Sequence, residues 1–381
     1  MRLSLISAAL VAALVGFGST IALVLSAAVA LGATPAQTAS WVMAVCLAKA
    51  AGSALLSGWF RVPVVLAWST PGAALIAASS GYTMAQGVAA FLFAGFAIAA
   101  CGAIRPLGAL VARIPDGIAA AMLAGVLLPF CLKGAGAAQS APALILPMVA
   151  LFALVRLKNP ALAVLAALAA GLTLAFATGA ARLPDLPALP PHPVLIWPDL
   201  QLPALVGLGL PLFLVTMASQ NLPGFATMRA AGFTPPVRPA LVVTGALSAL
   251  TALAGAHTVN MAAITAAICM GDDVHPDRDQ RWKVGLAYAA VWVILGLTGP
   301  LVIALLGALP PALMTALVAL ALLGPLMGAL TGAFAHPDQR FAATLTLAVT
   351  ASGMALAGIG AAFWGLLIGL GIHALDRLAR R

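Results

Sequence analysis

From Leu3 to Leu31 the chain runs without a single charged side chain, and apolar runs of this kind recur to its end. They constrain the fold more than any motif, because so apolar a stretch has to be enclosed by protein or surrounded by lipid. With 63% hydrophobic and 7% charged residues among 381, the chain has too little polar surface to coat a water-soluble body of its size. The solvent is lipid. The runs lack the strict alternation of barrel strands, so the fold class is an all-α polytopic membrane protein. Each crossing needs roughly 20 apolar residues for a hydrocarbon core about 30 Å thick.

Turn signals divide the first half into spans near Ala8 to Leu31, Ser40 to Gly58, Val62 to Ser80, Gln86 to Ala103, Gly117 to Leu132, Ala141 to Val155 and Ala161 to Thr178. The second half repeats the number: Ala204 to Thr227, Pro239 to Ala254, His257 to Cys269, Val284 to Leu306, Ala312 to Thr331, Ala342 to Ala357 and Ile359 to Leu375. Fourteen transmembrane segments are therefore expected. The run from Leu3 is too long for a secretory signal and carries Ser19 and Thr20 at its middle, so it reads as a retained first helix. Between the halves, residues 179–203 hold seven prolines and read as a stiff outer linker.

The basic residues test this count. With both termini inside, the inner loops collect Arg2, Arg61, Arg105, Arg113, Arg156, Lys158, Arg229, Arg238, Arg278, Arg281, Lys283, Arg340, Arg377, Arg380 and Arg381; the outer side receives Lys133 and Arg182. Cytoplasmic loops are expected to hold such an excess, so the N- and C-termini are read as cytoplasmic in a bacterial inner membrane. The net charge of +9 is thus a product of topology, and its dispersal, one to three residues per loop, excludes a nucleic-acid surface. Asp277 and Asp338, in the similar loops His275 to Arg281 and His336 to Arg340, read as helix caps. The four cysteines lack paired spacing and read as packing. No metal site or cofactor is expected.

Ala30-Leu-Gly-Ala-Thr-Pro35 returns as Ala230-Ala-Gly-Phe-Thr-Pro235, and the pattern of Ile114 to Leu128 returns from Leu309 to Leu323 at a shift of 195. Order and offset indicate duplication. Because each half holds an odd number of spans, the second copy must be inverted, giving a 7+7 inverted repeat: residues 1–178 and 204–381. Inverted repeats place their substrate near the midplane, where interrupted helices expose half-helix ends.

Two segments carry such interruptions, making spans 3 and 10 half-helices. In Val62 to Ala73 a proline-bounded, β-branched stretch gives way to Ser69-Thr70-Pro71-Gly72, where Ser69 or Thr70 can cap a new helix and Pro71 fits its first turn. The corresponding place reads Ala254 to Ala263, where Asn260 can cap a helix starting at Met261. Two positive helix ends would then face one cavity, which favours an anion. In the eighth span Thr216, Ser219, Gln220 and Asn221 precede a break expected at Pro223-Gly224, and amides this deep need partners, among them a polar ligand. Ser19 and Thr20 hold the matching place in the first span, although their hydroxyls can bond back to their own helix.

All nine acidic residues are Asp and all lie in or beside loops, so a mid-membrane carboxylate relay is missing. His257 is the titratable candidate for proton coupling. Lys49, mid-span in the second helix, is the other; it could instead attract a substrate anion, snorkel, or pair locally.

At Trp68 to Ala74, Pro211 to Asn221, Ala262 to Cys269 and Asp279 to Trp282 the chain resembles the benzoate:proton symporter family. The resemblance spans nearly all of the chain. It implies the inverted-repeat fold of nucleobase, sulfate and bicarbonate carriers, with a core domain (8–113 and 204–306) moving against a gate domain (114–178 and 307–376), and a homodimer. Nucleobase relatives carry acidic residues in spans 8 and 10, where this chain offers Gln220 or Asn221 and His257 or Asn260. That loss of negative charge suits an anionic substrate such as an aromatic carboxylate, taken up with a proton. The expected site comprises Ser69, Thr70, Pro71, Gly72, Ser219, Gln220, Asn221, His257, Asn260 and Met261, with Ser19, Thr20 and apolar walls from Phe17, Phe213 and Phe225. A nucleobase or inorganic-anion carrier, and an uncoupled anion channel, are the alternatives; no acid, base and nucleophile cluster suggests an enzyme.

Overall fold

A computed structural model of the protein describes residues 2–106, 114–185, 187–262, 264–357 and 359–379. Arg113, Arg380 and Arg381, three of the residues assigned to the inner side, lie outside them, as does Ala263 of the motif at Ala262 to Cys269. The chain folds almost entirely into helices. In order these are α1 (Leu3–Gly18), α2 (Ile21–Ala30), α3 (Pro35–Phe60), strand β1 (Leu66–Trp68), α4 (Thr70–Ala78), α5 (Met84–Ala103), α6 (Asp116–Ala137), α7 (Pro142–Lys158) and α8 (Pro160–Ala177). There follow α9 (Leu202–Ala230), α10 (Val237–Ala252), β2 (Val259–Met261), α11 (Ile264–Ile268), α12 (Lys283–Gly307), α13 (Pro311–Ala333), α14 (Arg340–Ala351), a two-stranded ribbon of β3 (Ala355–Leu356) and β4 (Ile359–Gly360), and α15 (Ala361–Ala379).

Among the described residues eight helical segments are long and apolar enough to cross a bilayer, α1 and α2 together forming one of them. Their starts follow local chemistry. Thr34 and Thr83 each form a reciprocal capping box with the glutamine three residues on, which satisfies two of the backbone donors a helix start leaves open. At Arg278–Gln280 a short 3-10 turn is capped by Asp277, as the loop reading expected, whereas Asp338 lies inside the turn Pro337–Gln339 and caps neither it nor α14.

The similar segments Ala30 to Pro35 and Ala230 to Pro235 turn alike. Gly32 and Gly232 both take positive φ, at 68° and 78°. In each the glycine N–H bonds three residues back, Gly32 to Val29 O and Gly232 to Arg229 O, while the next N–H bonds five back, Ala33 to Ala28 O and Phe233 to Met228 O. This is the Schellman ending, which needs a residue free to enter the left-handed region.

Helices from the two halves pack on one another: α3 on α12, α5 on α10, and α6 on α13. Small residues allow the close approach. A Cβ on Gly95 would lie 2.6 Å from Ala249 N, so α5 and α10 meet backbone to backbone.

Three expectations are corrected. The first span is not one helix: it breaks at Ser19 and Thr20, whose hydroxyls bond back to Val15 O and Gly16 O. The eighth is continuous through Pro223-Gly224, with wide π-helical turns at Leu205–Gly209 and Met217–Asn221. Each wide turn ends two residues before a proline, Pro211 or Pro223, and so makes room for a ring that would otherwise meet the carbonyl four residues back. In the tenth, Met261 ends a strand rather than starting a helix, Asn260 is a strand residue rather than a cap, and α11 covers only Ile264–Ile268.

Candidate substrate cavity

Strand β1 and strand β2 pair antiparallel in the middle of the fold, with Leu66 opposite Met261, Ala67 opposite Asn260 and Trp68 opposite Val259. Bare backbone deep in a membrane protein has to find partners. Here two serines supply them: Ser53 of α3 accepts the Leu66 N–H at 3.0 Å and Ser248 of α10 accepts the Val259 N–H at 2.8 Å.

Immediately after β1, Ser69 caps α4 as its sequence context indicates. Its Oγ accepts the Gly72 N–H at 3.0 Å, and its carbonyl accepts the Ala73 N–H at 2.7 Å. Pro71 carries no N–H, which leaves the Thr70 N–H as the remaining donor of this turn. Behind the turn lies a buried hydroxyl cluster, in which Thr216 donates to Ser69 Oγ at 3.0 Å and stands 2.9 Å from Thr258 Oγ1.

A cavity of about 900 Å³ extends from this turn between α6, α7 and α13, at the upper end of the size of ligand pockets. Of the expected residues, Ser19, Thr20, Thr70, Pro71, Ser219, Gln220 and Lys49 line it. Ser219 and Gln220 reach it on the π-helical turn that prepares for Pro223.

The others are scaffold. Ser69 and Gly72 are occupied in the cap. Asn221 is fully buried, and its Oδ1 accepts the Met261 N–H at 2.9 Å, so neither is open to a ligand. With its amide oriented to satisfy its surroundings, Asn260 accepts the Ser69 N–H and donates to Met261 O. His257 sits behind the strands, where its Nδ1 accepts the Trp41 indole N–H at 2.9 Å; a ring nitrogen that accepts cannot carry a proton, so this imidazole is neutral. Phe213 and Phe225 are buried away from the cavity, and Phe17 packs behind its wall against Trp68 and Trp292.

The aromatic wall is instead made by Trp68, Tyr288 and Trp292, with Phe152 opposite. Trp68 donates its indole N–H to Thr20 Oγ1 at 2.6 Å, and Tyr288 donates to Leu66 O at 3.0 Å. Between the two indoles lies Lys49. Its Nζ is 3.5 Å from the Trp68 ring centroid and 2.9 Å from that of Trp292, is fully buried, and has no hydrogen-bond partner among the described residues. Such contacts favour a cation over the ring faces. Toward the mouth stand Asp116, Arg156 and Asn159, and Gly324, Gly328 and Gly332 present one bare turn of α13 after another.

Trp292, Tyr288, Asp116, Arg156, Asn159 and Thr265 of this lining were not foreseen. A signal existed for the first two: tryptophan and tyrosine ordinarily sit at membrane interfaces, yet this pair lies one turn apart well inside α12.

The family model described as benzoate membrane transport protein matches residues 1–375. The chain belongs to the benzoate membrane transport protein family. Within that family, it is 39% identical over 363 residues to the inner membrane protein YdcO of Escherichia coli K12, covering 95% of this chain and 93% of that one. It is 33% identical to the benzoate membrane transport protein of Acinetobacter baylyi, across 87% and 84% of the two chains. Members of this family are membrane transporters and not enzymes. Solved structures share the fold at low identity. The transmembrane domain of the cyanobacterium bicarbonate transporter BicA aligns over 100% of this chain and 98% of that one, with a TM-score of 0.58 and 14% identity. SLC26A9 aligns over 98% of this chain and 66% of its own, with a TM-score of 0.66 and 12% identity.

Proposed function

We propose that this member of the family carries benzoate or a similar small aromatic carboxylate across the inner membrane by alternating access, together with a proton. The observation that carries the reading is Lys49: a buried amine-bearing side chain between two indoles at the back of a large cavity whose one acidic lining residue, among those described, is Asp116 near the mouth. A carboxylate would meet Lys49, the Thr70 N–H at the start of α4, and the Ser219 and Gln220 side chains. The ring would pack on Trp68, Trp292 and Phe152. The cation, the polar groups and the aromatic surface together match the two ends of an aromatic acid.

The architecture supports movement between two bodies. Counting α4 and α11 as half-spans gives fourteen segments in two inverted halves, and three features favour that count. The Schellman turns at Gly32 and Gly232 match, and so do the serines that serve β1 and β2. The packing of α3 on α12 is what an exchange of halves turns into that of α10 on α5. The cavity is walled on one side by core residues such as Lys49, Thr70 and Gln220, and on the other by gate residues such as Phe152, Arg156 and Gly328. On the basic-loop rule Arg156 is cytoplasmic, so the cavity is open inward and both termini are cytoplasmic. A homodimer belongs to the same reading.

A carrier of inorganic anions is the second reading, because Lys49 and the α4 turn would also hold a small oxyanion. Uptake of labelled benzoate into vesicles containing the purified chain separates them. The expected result is saturable uptake that unlabelled benzoate suppresses and sulfate, bicarbonate and uracil do not. Suppression by an inorganic anion but not by benzoate would exclude the aromatic substrate.

A further inference from the structure

Among the described residues, the buried amine of Lys49 in the cavity wall lacks a fixed counter-ion. The titratable groups around Lys49, among the described residues, are Cys46 on its own helix, His257 before β2, and Tyr288 of α12 beside Trp292. None is a carboxylate. Tyr288 is engaged with Leu66 O and His257 accepts from Trp41, while α2 offers no titratable side chain and the Arg238 of α10 is tied to the Gly102 and Ala103 carbonyls. Across the cavity the charged groups are Asp116 of α6 and Arg156 of α7, on the opposite wall. An ammonium at Nζ therefore has two indole faces and no hydrogen-bond acceptor, an incomplete environment for a buried charge.

The substrate carboxylate would complete it. We infer that Lys49 is the proton carrier of the transport cycle, its amine taking up one proton when the aromatic carboxylate binds and releasing it when the carboxylate leaves. This rests on the aromatic-acid reading above and adds the coupling step. On the outer side, Nζ gains a proton from water as the anion arrives, and the two form an ion pair bracketed by Trp68 and Trp292. On the inner side, the carboxylate departs as the anion and the proton returns to water, leaving a neutral amine that can recross without an unpaired charge. One anion and one proton move together, so the cycle carries no net charge. A lysine thus does the work ordinarily given to an intramembrane carboxylate, and the substrate itself is the other half of the switch.

The test is calorimetric titration of the full chain in detergent with sodium benzoate, at one pH, in buffers of different ionisation enthalpy. This reads the protons taken up for each benzoate bound. About one is expected for the unsubstituted protein, and about none for Lys49→Arg, whose guanidinium stays protonated throughout. In vesicles, an acidic exterior should drive benzoate accumulation above that of protein-free vesicles for the unsubstituted protein, and Lys49→Arg should lose this excess. Binding by the unsubstituted protein without proton uptake overturns the inference, and so does acid-driven excess accumulation by Lys49→Arg. Both results leave the substrate reading standing. Absence of any benzoate binding removes that reading, and this inference with it.

Discussion

Asn221 Oδ1 accepts the Met261 N–H at 2.9 Å, tying the π-helical turn of α9 to the end of β2. The amide therefore holds up the wall that carries Ser219 and Gln220, and makes no contact with the cavity itself. Its Nδ2 faces the Met217 sulfur at 3.4 Å, a weak acceptor that fits an interior with little else polar.

Asn221→Ala should accordingly lower stability first. It leaves the Met261 N–H buried and unpaired, at a cost of about 1–3 kcal/mol. Thermal unfolding in detergent without substrate checks this, and an unchanged midpoint would show that the N–H finds another partner.

Ser219 and Gln220 should behave in the opposite way. Both are partly exposed to the cavity and bond to no other side chain among the described residues. The double substitution Ser219→Ala, Gln220→Ala should leave stability within about 0.5 kcal/mol. Benzoate affinity should fall roughly tenfold, the worth of one or two ordinary hydrogen bonds. Parallel unfolding and binding measurements read the two effects apart.

Gly245 tests how tightly α5 and α10 are joined. A Cβ there would press on Ala99 N and lie 2.6 Å from Gly95 O, and backbone atoms cannot step aside. Gly245→Val should cost about 1–3 kcal/mol or more. A Gly58→Ala control, where a Cβ meets nothing within 4 Å, should stay near neutral in the same unfolding assay.

Gly324 lines the cavity, and a Cβ on it also meets nothing within 4 Å. Gly324→Cys should fold and react with a membrane-impermeant maleimide from the cytoplasmic face, with benzoate slowing the reaction. Cys46, Cys101 and Cys269 are buried and should react little. Labelling from the outer face alone would reverse the orientation assigned to the cavity.

Much of the polar chemistry was legible because it is local. Ser69 caps α4 three residues before Gly72, Gly32 and Gly232 end their helices, and Thr34 boxes with Gln37, all within a turn of chain. The break expected at Pro223-Gly224 failed for a reason that is local too, but one that a wide turn accommodates: π geometry opens the helix before the proline instead of ending it.

The membrane class and the loop chemistry follow from residue type alone, since transfer of apolar side chains and capping of backbone donors depend on what lies within a few positions. Which side chains line the cavity is another matter. Lys49, Trp68 and Trp292 stand far apart in the chain and join only when α3, β1 and α12 pack together, while Asn221, Asn260 and His257 turn inward to satisfy buried backbone and an indole. A polar residue in a span needs a partner wherever it points, and its type is the same whether that partner is the protein or a ligand. Long-range packing makes that choice, because it sets which face of each helix borders the cavity and which borders another helix.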